Sequence, residues 1–141
     1  MAAEKPTIVF IPGAFHTPEC FNDVMSLLKA NDFPVIGLHL PTAGKLLSGT
    51  AVDDAKFIRE TTQKLADDGK DIVLVMHSYG GFPGTESANG LTRRQREQEG
   101  KEGGVISLFY IAASLPIEGR YIADDLEGGV PSWVKLEVST L

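Results

Sequence analysis

Residues 71–81 read Asp-Ile-Val-Leu-Val-Met-His-Ser-Tyr-Gly-Gly, and the rest of the chain is organised around them. Residues 72–76 form a short, continuous apolar run rich in β-branched side chains, the pattern of a strand buried on both faces of a parallel sheet. His77-Ser78-Tyr79-Gly80-Gly81 follows without a spacer, and the next residues read as a helix. A serine on a sharp strand-to-helix turn, with small residues where the chain crowds itself, has the form of a nucleophile elbow.

Working outward toward the N-terminus, residues 7–11 (Thr-Ile-Val-Phe-Ile) form another buried-strand run, stopped by Pro12-Gly13. Thr17 offers an N-cap, Pro18 suits the first helical position and Glu19 complements the helix dipole. Phe21, Val24, Met25 and Leu28 recur at helical spacing and predict one face packed on a sheet, with Asn31 as the stop. Residues 35–40 read as a strand ended by Pro41, and residues 42–49 as a polar loop. Thr50 with Asp53 resembles a capping pair, and Val52, Ala55, Ile58, Thr62, Leu65 and Ala66 mark the inner face of a helix ending at Gly69.

On the other side of the elbow lies a short helix carrying Gly80, Gly81, Pro83 and Gly84, closed near Asn89-Gly90. Thr92-x-x-Gln95 is a capping box for a polar helix ending near Gly100, and residues 105–113 are the fourth strand. Residues 115–141 show no clear periodicity. The alternation predicts an α/β fold: three layers, a parallel sheet of about four strands in the order 2-1-3-4, and helices on both faces. One domain is expected over residues 1–141, with the sheet core at 7–113 and the start of a cap or tail at 114–141. In that order the switch point lies between the first and third strands. The turns Pro12-Gly13-Ala14-Phe15-His16 and Met76-His77-Ser78-Tyr79-Gly80 then meet at one crevice.

Composition narrows the function. The chain has 141 residues, 43% hydrophobic and 23% charged, with a net charge of −6, which argues against nucleic acid as a partner. Arg93, Arg94 and Arg96 sit beside Glu97 and Glu99 and read as a solvated helix face. Cys20 is the single cysteine, so an internal disulfide and a thiolate metal cluster are excluded; a small packed residue is the expectation. The N-terminal residues lack a signal-peptide core and no apolar run approaches membrane-spanning length, so a cytoplasmic protein without a membrane partner is expected. No phosphate-binding Gly-x-Gly-x-x-Gly or Gly-Lys-Ser/Thr follows a strand, and no His/Asp/Glu set has metal-ligand spacing. Neither a cofactor nor a metal is expected.

A serine hydroxyl needs a base to take its proton. The Tyr79 N–H can face a tetrahedral oxyanion, and the Gly13-Ala14 turn is in position to add the N–H of Ala14. Ile-Pro-Gly-Ala-Phe-His at 11–16, with Val-Met-His-Ser-Tyr-Gly-Gly at 75–81, resembles the α/β-hydrolase superfamily over roughly residues 7–121. It is similar to the branch holding plant methylesterases and hydroxynitrile lyases, and closer to fungal hydrolases of that type. The resemblance implies Ser78 as nucleophile, Tyr79 and Ala14 as backbone oxyanion donors, and acyl transfer to water on a small ester or amide. Phe15 and His16 are expected to meet the substrate.

The chain departs from the family pattern. Met76 stands at the first Gly of Gly-x-Ser-x-Gly, Pro12 replaces a frequent His, and no histidine follows His77. The family places its triad acid and histidine after the serine, so the N-terminal half of a truncated α/β-hydrolase fold, weak or inactive alone, is expected. His77 belongs to the scaffold and His39 reads as structural, which leaves His16 as surrogate base. Glu118, Asp124 and Asp125 follow the fourth strand, where some relatives carry the acid, but read as a solvated loop. Tyr121, Trp133 and Val134 are apolar residues where the family leads into its cap. The alternatives are a non-catalytic half-domain that binds a ligand or partner, dimerising through the edge strand 105–113, and a truncated gene product.

Overall fold

The computed structural model describes residues 4–44 and 49–120. Four parallel strands, β1 (Thr7–Ile11), β2 (Val35–Gly37), β3 (Asp71–His77) and β4 (Gly104–Ile111), pair in the order β2-β1-β3-β4, as the sequence predicts. All of β1 is buried, because a central parallel strand is covered on both faces. Ile11 pairs with Met76, which aligns the ends of β1 and β3 and brings their turns side by side.

Side chains alternate between two cores. Val9, Ile11, Leu74 and Met76 pack with Ile58 and Ala66 of α2 (Ala51–Asp67) and with Ala88, just past α3 (Gly81–Ser87). Ile8, Phe10 and Val75 face the other way, onto Phe21, Met25 and Leu28. Phe21 closes a 3-10 turn, Pro18–Phe21, and the α-helix proper, α1 (Asn22–Ala30), starts only after it. Val24 and Val52, expected on the inner faces of these helices, are exposed instead; each lies at the margin of its stripe. The N-terminus of α2 is the one the sequence indicates: the Thr50 N–H donates to Asp53 Oδ2 at 2.8 Å.

Strand β2 is shorter than the apolar run suggests. The Leu38 N–H still reaches Phe10 O at 3.0 Å, but the ladder ends at Gly37, before the turn that begins at Pro41. Cys20, expected to be packed, is exposed, because the 3-10 turn buries Phe21 and leaves its neighbour outside.

A larger correction concerns α4 (Arg93–Gln98). Arg93 pairs with Asp71 and Glu97 on the solvated side, as expected. Arg96 is only 4% exposed. It donates to Gly103 O at 3.0 Å, Ala66 O at 3.0 Å and Glu102 O at 3.1 Å, and pairs with Asp67 at 3.0 Å. Gly103 is left-handed, φ 68°, and a Cβ there would fall 2.6 Å from Ala66 O and 2.8 Å from Lys70 N, so the loop lies close against the end of α2, where the Arg96 guanidinium meets its carbonyls.

Strand β4 pairs along its length with β3, while on its other side, among the described residues, only Val105 is bridged, to Thr92, with its N–H donating to Leu91 O at 2.8 Å; Ile106, Phe109 and Ile111 are exposed along it. Among the described residues no helix is long and apolar enough to cross a membrane.

Candidate active site

The C-terminal ends of β1, β3 and β4 share an uncommon feature. Phe15 (φ 64°), Ser78 (φ 50°) and Ala112 (φ 41°) all occupy the left-handed region without being glycine. For such residues this backbone costs roughly 1–2 kcal/mol each, and it persists where surrounding contacts over-determine it. Three strained turns at one end of the sheet delimit the crevice predicted from topology.

The two turns do meet. A Cβ placed on Gly13 would lie 3.1 Å from Ser78 Cβ and 3.1 Å from His77 Nδ1. Gly80 has an ordinary φ of −55°, so it is glycine for room, not for backbone freedom. Its Cβ would fall 2.7 Å from Pro12 O and 2.8 Å from Ile11 O. Gly81 is pressed in the same way against Ser114 O and Ala113, and the Ser114 N–H donates to Ser78 O at 3.3 Å. The elbow is therefore gripped between the turn after β1 and the loop after β4.

Met76, the side chain that should crowd this turn, is fully buried and occupies space that a later glycine provides. A Cβ on Gly84 would sit 2.5 Å from Met76 Sδ. The departure from Gly-x-Ser-x-Gly is thus accommodated one helical turn beyond the elbow.

His16 stands on the same turn as Ala14, exposed, with Nδ1 2.8 Å from Ala14 O. A carbonyl can only accept, so in the neutral ring Nδ1 carries the proton and Nε2 keeps its basic lone pair. The ring meets His77 edge-on at 6.1 Å between centroids. Among the described residues no hydrogen bond joins His16 to Ser78. His77 itself lies edge-on to Phe21 at 6.5 Å between centroids. His39 Nε2 lies 2.9 Å from Ala43 O, a local loop tie. Phe15 is 91% exposed on the turn after β1.

Tyr79 carries a partner that sequence reasoning missed. Its O–H donates to Asp54 Oδ2 at 2.8 Å, and burial, reinforced by this carboxylate, pushes the phenol well above the usual tyrosine range. Asp54 is 0% exposed and also accepts the Thr42 N–H at 3.0 Å and the Thr42 O–H at 2.5 Å. A signal was present: Asp54, Ile58 and Thr62 lie at i, i+4 and i+8, so a charge stood on the buried line of α2. Ser114, which also binds the elbow, left no such trace. Glu118 is exposed; Asp124, Asp125, Tyr121, Trp133 and Val134 lie outside the described residues.

Comparison with known proteins agrees with this architecture. The family model described as the alpha/beta hydrolase family matches residues 8–138. The chain is 31% identical over 132 residues to the alpha/beta hydrolase nvfD of Aspergillus novofumigatus, covering 93% of this chain and 52% of that protein. It is also 31% identical over 127 residues to the probable hydrolase R7 of a Phoma species, covering 88% and 49% respectively. The chain therefore spans about half the length of the curated relatives it matches. Among solved structures, an extracellular alpha/beta-hydrolase from a Paenibacillus species superposes with a TM-score of 0.64 at 21% identity, over 84% of this chain and 45% of that one. The Arabidopsis methylesterase MES16 gives 0.62 at 24% identity, over 82% and 46%.

Proposed function

Because the chain belongs to the alpha/beta hydrolase family, we propose that it carries the nucleophile half of a serine hydrolase site acting on a small ester or amide. The observation that carries the reading is Ser78 held at φ 50° with its Cβ against the Gly13 turn. Ser78 Oγ attacks the substrate carbonyl carbon as His16 Nε2 takes the hydroxyl proton. The carbonyl oxygen becomes an oxyanion held by the N–H groups of Ala14 and Tyr79, and Phe15 and His16 line the approach. Collapse of that intermediate returns the proton to the leaving group and leaves an acyl-serine, which water hydrolyses by the reverse sequence. A site with triad members missing retains about 10³–10⁴ over water from the oxyanion hole and binding, so slow turnover or none is expected of this chain alone. A cytoplasmic setting belongs to the same reading, supported by the single cysteine.

A fluorophosphonate probe tests the nucleophile. Covalent labelling of the chain that disappears in Ser78→Ala is expected; equal labelling of the two proteins refutes the assignment.

The edge of β4 beyond Val105, with Phe109 57% exposed, favours a second reading: a non-catalytic half-domain that binds a ligand or partner, dimerising along that edge. Native mass measurement at micromolar concentration should then show a dimer that Phe109→Lys dissociates. A stable monomer rules out the dimer.

A further inference from the structure

Tyr79 acts at both ends. Its backbone N–H faces the crevice in the reading above, while its side chain crosses to α2 and ends on Asp54 at 2.8 Å. Asp54 is out of contact with water and accepts from the Tyr79 O–H, the Thr42 N–H and the Thr42 O–H. One carboxylate so ties the loop after β2, the first turn of α2 and the elbow. A buried carboxylate is costly unless its lone pairs are filled, and an apolar pair would pack α2 against the elbow without that cost. A tie of this chemistry differs from packing in one respect: it fixes direction as well as distance.

Direction is what the elbow needs. Relaxing Ser78 from φ 50° toward ordinary values rotates the Ser78–Tyr79 peptide, and with it both the Tyr79 N–H and the Tyr79 ring. On the flanks, Gly80 is wedged against the Pro12 and Ile11 carbonyls and Ser78 O accepts from Ser114. The phenol–carboxylate bond holds the remaining end.

Resting on Ser78 as nucleophile, we propose that Asp54 is a positioning residue for the hydrolytic step. Through the Tyr79 side chain it fixes the aim of the Tyr79 N–H at the oxyanion. Asp54 touches neither substrate nor Ser78; it acts on the donor's orientation. Loss of a whole oxyanion donor costs about 10²–10³ in rate, so a donor retained but misaimed should cost about tenfold.

The test follows fluorophosphonate labelling of Ser78 in the full chain, resolved into a half-saturating probe concentration and a maximal rate, each corrected for the folded fraction from urea titration. Asp54→Asn and Tyr79→Phe are each expected to lower the maximal rate about tenfold with half-saturation unchanged. The double variant should lose no more than the worse single, since both break one tie. A purely structural role would lower the denaturation midpoint and leave the maximal rate per folded molecule unaltered, and that result overturns the proposal. Should Asp54→Asn not fold, Tyr79→Phe, which removes a single oxygen, decides alone. Absence of labelling in the unaltered chain refutes the nucleophile reading and this one together. Labelling at equal rates in the folded variants refutes the positioning role only.

Discussion

Replacing Gly80 by alanine asks whether the elbow is held by contact or merely by its own backbone. At φ −55° and ψ −18° alanine is conformationally at ease, and the loss of unfolded-chain freedom should by itself stabilise the protein by about 0.4–1 kcal/mol. The added Cβ, however, lies 2.7 Å from Pro12 O and 2.8 Å from Ile11 O. Both obstacles are backbone, and Ile11 belongs to a strand buried along its whole length, so neither can swing aside like a side chain. The turn after β1 and the elbow must separate by several tenths of an ångström. Overpacking of this kind costs about 1–3 kcal/mol, which leaves a net loss of about 1–2 kcal/mol. In urea unfolding this appears as a lower midpoint at unchanged slope. The same displacement moves the Ala14 turn away from Ser78, and since an error of about 1 Å can cost 10²-fold, fluorophosphonate labelling should slow by several-fold to about tenfold. Gly69→Ala is the control. Its φ is 77° with nothing within 4 Å, so it should lose stability through backbone strain alone and label normally. A Gly80→Ala protein as stable as the parent and labelled at the parent rate would refute the contact argument.

Two further outcomes follow from buried polar groups. Arg96→Met should cost about 2–3 kcal/mol in urea unfolding, because three inward carbonyls lose a charged donor, whereas the neighbouring Arg94→Ala should be near neutral; equal effects would place Arg96 on the solvated face after all. Because folding holds the Tyr79 phenol above the usual tyrosine range, its contribution is fully present below the unfolded value of about 10 and is lost as pH rises above it. The stability difference between the parent and Tyr79→Phe should therefore hold up to about pH 9 and shrink as pH rises past about 10, and a difference that grows there would contradict the Tyr79–Asp54 bond.

The features legible in the sequence are those written locally. The apolar runs ending at Pro12 and His77 gave the strands, and the turn residues after them gave the crevice once strand order was inferred. Thr50 and Asp53 gave the start of α2, because a capping pair needs only three residues of separation. What stayed hidden depends on partners far along the chain. Asp54 shows only its alignment with Ile58 and Thr62 in the sequence; its partners, Thr42 and Tyr79, appear once the chain is folded around it. Arg96 shares its neighbours' charge, and only the carbonyls of Ala66 and Gly103 decide that it is buried. The 3-10 start at Pro18 escaped because an N-cap, a proline and an acid suit either helix type.

Among the described residues, the contacts that shape the elbow come from within the four-stranded unit: the carbonyls of residues 11 and 12, Gly13, Asp54 with Thr42, and Ser114. These contacts hold the serine in its strained conformation, and in our reading they also aim the Ala14 and Tyr79 N–H groups beside it. The proton acceptor is a different matter. The family sets its acid and histidine on strands after the serine, and this chain has no histidine beyond His77. In our reading, nucleophile geometry and proton transfer are separated along the family's chain, the first set by the turns after β1, β3 and β4 and the second by strands that follow the serine. In our reading the deficit of the isolated chain lies in taking the Ser78 proton, which falls to His16 alone, and not in placing the hydroxyl. Reagents that need only a positioned serine should accordingly react more readily than esters that need a full proton relay.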